Sequence, residues 1–371
     1  MSSFTMLFIN AFQPKSTISE MQKILVSVIV LFFQLQIFGQ ATYKNLVFEG
    51  AGMKGIAYVG VLEELEEQGI LENIEKVAGT SSGGITAMSV ALGYSVQEIK
   101  DLIYDTPFDK FNDGKGLFIG GIHRLKKRYG WFQGKNFTAW LENVIAQKTG
   151  DADITFEEWI EQGYKPLYVT GSSLSHQKSV FFSAETYPKM KVKNAVRITM
   201  SIPFYFEAVY IDEVGNLFHK PADPTQYNLV VDGGVTENFP IYLFDYLNGA
   251  GETVINHETL GIRIDSPSQV ENDKLQKGLA GIPIEDHKDF VTAMYRIMLE
   301  NINRQNLTPQ HWNQTISISD GEISSRVRKM SVEEKETLLN NGRMAAADFL
   351  AKKAQEQLLN AQKIKAERTQ E

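Results

Sequence analysis

The 371-residue chain contains no cysteine. That absence excludes disulfide scaffolding, thiolate metal sites and a thiol nucleophile, and it leaves the redox compartment open. Long basic runs are missing as well. Lys126-Lys127-Arg128 is the longest, in a chain whose formal net charge is −8. A nucleic-acid partner needs an electropositive surface, so none is expected. There is no internal repeat, and no apolar run is long enough for a comfortable membrane span. What is present, 43% hydrophobic and 22% charged residues, suffices for a full core, so disorder is not the default.

The main apolar run, residues 24–33, lies near the start. Met21-Gln22-Lys23 precedes it, Gln34 and Gln36 break it, and Ile37-Phe38-Gly39 closes it ahead of Gln40. A basic lead, a short apolar stretch and a small residue at the end are the anatomy of a signal peptide. The expectation is translation from Met21, with 1–20 as an upstream extension, then cleavage near residue 39 and export to the periplasm, outer membrane or medium. An uncleaved membrane anchor is the alternative. No cysteine follows Gly39, which excludes a lipoprotein anchor.

From Asn45 onward, short apolar strands alternate with amphipathic helices, the pattern of a mainly parallel sheet covered on both faces. Strands are expected at 46–48, 74–78, 167–170, 180–182, 229–231, 260–264 and 315–318. A helix is expected over 55–67, with Ile56, Val59, Leu62 and Leu65 on one face, and another carries Ile85, Met88 and Leu92 inward. The segment 107–137 is rich in glycine and aromatics without a clean period. It reads as a lid or lipid-facing flap, or as a loop packing its rings on the core. Ser331-Val332-Glu333-Glu334 forms a capping box opening a helix that passes Phe349, and 362–371 is a polar, frayed tail.

Three motifs carry the chemistry. Gly79-Thr80-Ser81-Ser82-Gly83 fits G-x-S-x-G between a strand and a helix, where a sharp turn pushes Ser81 Oγ out above the sheet. The flanking Gly79 and Gly83 single out Ser81 over Ser82. The same letters also suit a plain helix cap. Gly50-Ala51-Gly52-Met53-Lys54-Gly55 follows the first strand and fits G-x-G-x-x-G. A dinucleotide site would place an acid at the end of the second strand, and that strand ends in Ala78-Gly79. The alternative use is an oxyanion hole built from backbone N–H groups. Lys54 either adds positive charge there or is merely solvated. Asp232, followed by Gly233 and Gly234, ends a third apolar strand and is the candidate base, although an Asp capping a turn has the same appearance. An Asp acting on Ser needs its pKa raised by burial. His257 and His287 follow in the order of a Ser-Asp-His triad, but neither sits at a recognisable strand end.

Together and in this order, the segment from Phe48 to Gly55, the Ser81 turn with Gly84, and Asp232-Gly233-Gly234-Val235 resemble the patatin-like phospholipase family. Ser201-Ile202-Pro203-Phe204 and the strand around Arg263 are also similar. Ala51 departs from the glycine many relatives carry. The resemblance implies a three-layer α/β/α sandwich over residues 43–265; residues beyond about 270 match it less specifically, and 266–371 reads as a helical part packed on the same domain. It also implies Ser81 as nucleophile, Asp232 as base, residues 50–55 as oxyanion hole, no metal or cofactor, and lipid esters drawn from membranes as substrate. No obligate protein partner is inferred. The acyl tail would need an apolar groove, for which 107–137 and Pro203-Phe204-Tyr205-Phe206 are candidates. The basic stretch from His123 to Arg128 either touches anionic headgroups or is a solvated face. A nucleotide-binding enzyme and a non-catalytic lipid-binding protein are the rivals.

Overall fold

A computed structural model describes residues 43–368 apart from 115, 117 and 118. The expected signal segment lies outside the described residues. The compact unit Thr42–Leu350 carries every feature below, and the described remainder, 351–368, is the end of the last helix.

The strands that matter are β1 (Asn45–Phe48), β2 (Lys76–Gly79), β3 (Gly130–Phe132), β4 (Leu167–Ser173), β5 (Lys178–Phe182), β6 (Phe204–Phe206), β7 (Val209–Ile211), β8 (Leu217–Phe218), β9 (Asn228–Asp232), β10 (Thr259–Asp265) and β11 (Thr315–Ser319). The helices that matter are α1 (Ala57–Glu67), α2 (Ser82–Ala91), α3 (Val96–Tyr104), α4 (Ile119–Arg128), α5 (Lys135–Thr149), α6 (Val192–Thr199), α7 (His287–Arg304) and α8 (Val332–Arg368). The main sheet runs β11-β10-β1-β2-β4-β9-β7-β8, with β5 also on β4. From β11 to β4 all pairs are parallel, which is why β1 is apolar at Leu46, Val47 and Phe48 and buried on both faces.

The pairs beyond β4 are antiparallel. β2 occupies Leu167, Tyr168 and Val169 of β4, and β9 occupies Gly171, Ser172 and Ser173. β5 covers Val169 to Ser173. It overlaps both, so β2 and β9 share the opposite edge of β4, end to end. β9 therefore delivers Asp232 through an antiparallel strand running head-on toward the end of β2, where the sequence suggested one more parallel strand.

Several boundaries also move. A 3-10 turn, Gly52–Ile56, precedes α1, so the helix expected from 55 begins at Ala57. The strand expected at 315–318 is present as β11 and pairs with β10, so the sheet takes in chain beyond residue 265. The tail expected to fray from 362 is helical to Arg368. The Ser331 capping box is present, with Glu334 N–H donating to Ser331 Oγ at 3.1 Å and Ser331 N–H to Glu334 Oε2 at 2.9 Å. α8 lies close on α1: a Cβ on Gly60 would meet the Leu339 carbonyl oxygen at 2.0 Å, and one on Gly342 the Ala57 carbonyl oxygen at 2.0 Å. Only glycines allow backbones that near.

The C-terminal elements also brace the loop after β1. Arg263 of β10 is buried, pairs with Asp265 at 2.7 Å and Glu49 at 3.6 Å, and lies 4.9 Å from the Trp312 ring centroid. The other Glu49 oxygen accepts the Ile264 N–H at 3.1 Å. Glu49, which precedes Gly50, is thus held in a paired, hydrogen-bonded ionic network, the condition under which buried charge is tolerated.

Candidate active site

β2 ends at Gly79 and α2 begins at Ser82, which leaves Thr80 and Ser81 to turn the chain. Ser81 adopts φ 52° and ψ −124°, a strained region for any residue with a Cβ. Three contacts hold it there. Its N–H donates to Thr199 Oγ1 at 2.8 Å. Thr80 Oγ1 lies 2.6 Å from Thr170 Oγ1 and donates to the Glu237 carbonyl at 3.0 Å. The two glycines complete the turn by absence of bulk: a Cβ on Gly79 would lie 2.3 Å from the Gly83 oxygen, and one on Gly83 2.5 Å from the Glu49 oxygen.

Asp232 is buried at the end of β9. Its N–H donates to the Ser201 carbonyl at 3.0 Å, and its Oδ1 accepts the Gly234 N–H at 2.7 Å. Gly233 packs against Thr170, whose Oγ1 would lie 2.0 Å from a Cβ there. Burial pushes the Asp232 carboxyl from 3.8 up to about 7, against the opposing pull of hydrogen bonds from Gly234 and the Ser81 hydroxyl. In this resting arrangement Ser81 Oγ also points at Met200 Sδ, 3.5 Å away.

The Gly50 loop lies on this turn, since a Cβ on Gly50 would come 3.1 Å from Ser81 Cβ. Most of its donors are already engaged. Gly50 N–H goes to the Asn238 carbonyl (3.2 Å), Ala51 N–H to Ser82 Oγ (3.1 Å), Met53 N–H to the Ser325 carbonyl (3.1 Å) and Lys54 N–H to the Ala51 carbonyl (3.2 Å). Gly55 sits inside the 3-10 turn. Among the described residues, Gly52 N–H and the first N–H groups of α2, at Ser82 and Gly83, have no protein acceptor, as expected of a helix N-terminus. Lys54 is neither a free cation nor a solvated one: its Nζ pairs with Asp320 Oδ2 at 2.6 Å in a largely buried setting.

None of the six histidines lines the two cavities around the turn. His257 is exposed at the start of β10, the opposite edge of the sheet, and His287 is exposed at the start of α7. The structure does not bring either one to Ser81. No group of three or more metal-ligating side chains forms a site among the described residues.

The patatin-like phospholipase family model matches residues 46–245, which include all three motifs. The chain belongs to that family. Among similar proteins, an uncharacterised protein of Acanthamoeba polyphaga mimivirus is 27% identical over 82% of this chain and 92% of its own length. A probable lipid hydrolase of Invertebrate iridescent virus 6 is 29% identical over 54% of this chain and 62% of that protein. The crystal structure of VipD from Legionella pneumophila superposes with a TM-score of 0.52 at 16% identity, covering 84% of this chain and 67% of VipD, and shows the shared fold.

In this patatin-like protein two cavities meet at the turn. One of about 430 Å³ is polar-rimmed and contains Ser81, Asp232, Asn238, Glu300 and Asp320. The other, of about 410 Å³, is mostly apolar and is lined by Ile85, Ile103, Phe108, Phe111, Met200 and Phe206, among others. Gly52 and Ile202 border both. Much of the aromatic segment is packed wall: Phe111 and Phe137 are buried, with ring centroids 5.3 Å apart, and Trp140 stacks on Phe137 at 5.9 Å. Phe204, a groove candidate from the sequence, points outward instead and is 74% exposed.

Sequence reasoning missed Asn238. Its carbonyl accepts from Gly50 N–H, its Nδ2 donates to the Gly50 carbonyl at 3.0 Å, and its own N–H donates to Asn303 Oδ1 at 2.8 Å. It pins the Gly50 loop to the turn after Asp232. Its place six residues past Asp232 was the only clue, because its partners are distant in sequence.

Proposed function

We propose that this chain is a serine-dependent lipid acyl hydrolase, of the phospholipase A or esterase type, working through Ser81 and Asp232 and an acyl-enzyme. The observation that carries the reading is the convergence of a strained Ser81 and a buried carboxyl on abutting strand ends. Asp232 takes the Ser81 Oγ proton as Oγ attacks the ester carbonyl carbon. The Gly52 N–H and the first N–H groups of α2 supply hydrogen bonds to the developing oxyanion, a role in which each donor is worth about 3 kcal/mol. Collapse breaks the ester bond, and protonated Asp232 returns its proton to the leaving alcohol. Water then attacks the acyl-Ser81 carbonyl, losing a proton to Asp232. The fatty acid leaves as the proton returns to Ser81.

The apolar cavity supports an acyl tail as the bound part, and the polar cavity suits the ester's alcohol side. A phosphate cradle is disfavoured because four of the loop's donors already serve protein acceptors. Export or anchoring through residues 24–33 belongs to the same proposal, since it would bring the enzyme to membrane lipid. The test is hydrolysis of p-nitrophenyl esters and phospholipid vesicles by wild type, Ser81→Ala, Asp232→Ala, His257→Ala and His287→Ala. The two histidine variants should keep wild-type rates and the first two should lose activity. Equal hydrolysis by wild type and Ser81→Ala would end the proposal.

A further inference from the structure

A knuckle beside the catalytic cavity carries two outward-facing aromatic rings. β3 and β6 pair in parallel, with Gly130 opposite Phe204, and Phe204 N–H donates to the Tyr129 carbonyl at 3.1 Å. Both Tyr129 (φ 62°) and Phe204 (φ 67°) lie in the left-handed region that side-chain-bearing residues avoid. Strain of about 1–3 kcal/mol at each is characteristic of functional segments. Here it accompanies exposure, 47% for Tyr129 and 74% for Phe204. Ile202 and Pro203 line the polar cavity and Phe206 the apolar one, whereas Phe204 and Tyr205 line neither, and of these two Phe204 is the exposed one.

The adjoining helix α4 adds charge. Its exposed residues include Ile122, His123, Lys126 and Lys127, and neither lysine has an ion-pair partner among the described residues. Arg128 is held back by Glu207 at 3.1 Å. A patch with unpaired lysines beside exposed rings runs against the protein's acidic balance of −8. An aromatic ring wet at one end suits the boundary between headgroups and acyl chains, and lysines beside it complement anionic headgroups.

We infer that the Tyr129–Phe204 knuckle, with Lys126 and Lys127, docks the protein on an anionic lipid surface and sets the catalytic cavity against it. This rests on the lipid-hydrolase reading and names the face that meets the substrate's membrane.

The absence of cysteine allows a position-specific test in the full chain. In a Ser81→Ala background, which leaves the lipid intact, Phe204→Cys carries an environment-sensitive fluorophore, and Glu72→Cys serves as control. Glu72 is exposed in the loop before β2, at the sheet edge away from Ser81. Vesicles of equal phosphatidylglycerol and phosphatidylcholine should shift the emission at 204 to the blue and leave 72 unchanged. Pure phosphatidylcholine should do neither at the same lipid concentration. Lys126→Glu and Lys127→Glu should each raise the midpoint lipid concentration about fivefold or more, and 0.5 M salt, about three times the physiological ionic strength, should weaken the response. No shift at 204, an equal shift at 72, or indifference to both charge reversals would overturn the proposal. So would a dimer that Phe204→Asn dissolves without any vesicle response, which would make this face a self-association surface. The fluorescence needs no turnover, so it decides docking even if hydrolysis fails. Conversely, Phe204→Asn with Ser81 intact should still cleave a soluble short-chain ester while losing vesicle hydrolysis.

Discussion

Gly79 and Asp232 end two strands that meet head-on along one edge of β4, opposite Val169 and Gly171. β2 arrives in parallel and turns sharply into Ser81, while β9 arrives antiparallel and stops at the carboxyl. The proposed nucleophile and base are therefore positioned by backbone pairing to the same strand, and neither depends on a flexible loop for its place.

The pH dependence of turnover and of stability should run in opposite directions. Burial raises the Asp232 carboxyl from 3.8 to about 7. The base is the ionised form, so kcat/KM should climb with pH and level off above about 7. For stability, the folded protein holds a proton that the unfolded chain releases above about pH 4. The contribution is full below that pH and is lost as pH rises through 7, by at most about 4 kcal/mol. Asp232→Asn should cut kcat about 10²–10⁴-fold and raise the unfolding free energy at pH 8 relative to wild type. Equal stability of the two proteins at pH 8 would refute the buried-carboxyl argument.

Strain at Ser81 should be measurable as stability. Replacement by glycine removes a positive-φ penalty of about 1–3 kcal/mol, offset by about 0.5–1 kcal/mol of extra unfolded-state entropy. Ser81→Gly should therefore melt above Ser81→Ala, which keeps a Cβ in the same conformation, and both should be inactive. A lower melting temperature for Ser81→Gly would count against a strained turn.

The Lys54–Asp320 pair ties the 3-10 turn to the segment after β11. Lys54→Met leaves a buried, unpaired Asp320 and should cost about 3 kcal/mol. Combining it with Asp320→Asn should recover much of that loss. Urea unfolding midpoints of wild type, single and double variants test this, and additive losses would show that the pair is not coupled.

Filling the apolar cavity should change chain-length preference. Ile103 on α3 lines it and is buried. Ile103→Phe should raise KM for long-chain esters while sparing short ones, because each buried methylene is worth about 0.8 kcal/mol. Uniform loss across chain lengths would place the tail elsewhere.

The legible parts of the site were those set by local sterics. Gly79 and Gly83 are demanded by contacts within a few residues of Ser81 or with the neighbouring strand, so the turn could be read directly. Asp232 was legible as a strand end, but its antiparallel approach depends on which edge of β4 remained open, which no local pattern records. Which donors of the Gly50 loop stay open could not be read locally for the same reason, since four of them are engaged and Gly52 N–H is not. Their acceptors include Asn238 and the Ser325 carbonyl, both far along the chain. Phe204 was placed in a groove because it is apolar among apolar neighbours, and its positive φ turns it the other way.

The central claim is that Ser81 carries the acyl group. Rapid acid quench during turnover of a slow fatty-acyl ester, followed by mass spectrometry of the peptide containing residues 79–83, measures this directly. The expected result is an acyl mass on Ser81 in wild type, none in Ser81→Ala, and much slower appearance in Asp232→Asn. Steady ester hydrolysis with no acyl mass on Ser81, or with the acyl on another residue, would contradict it.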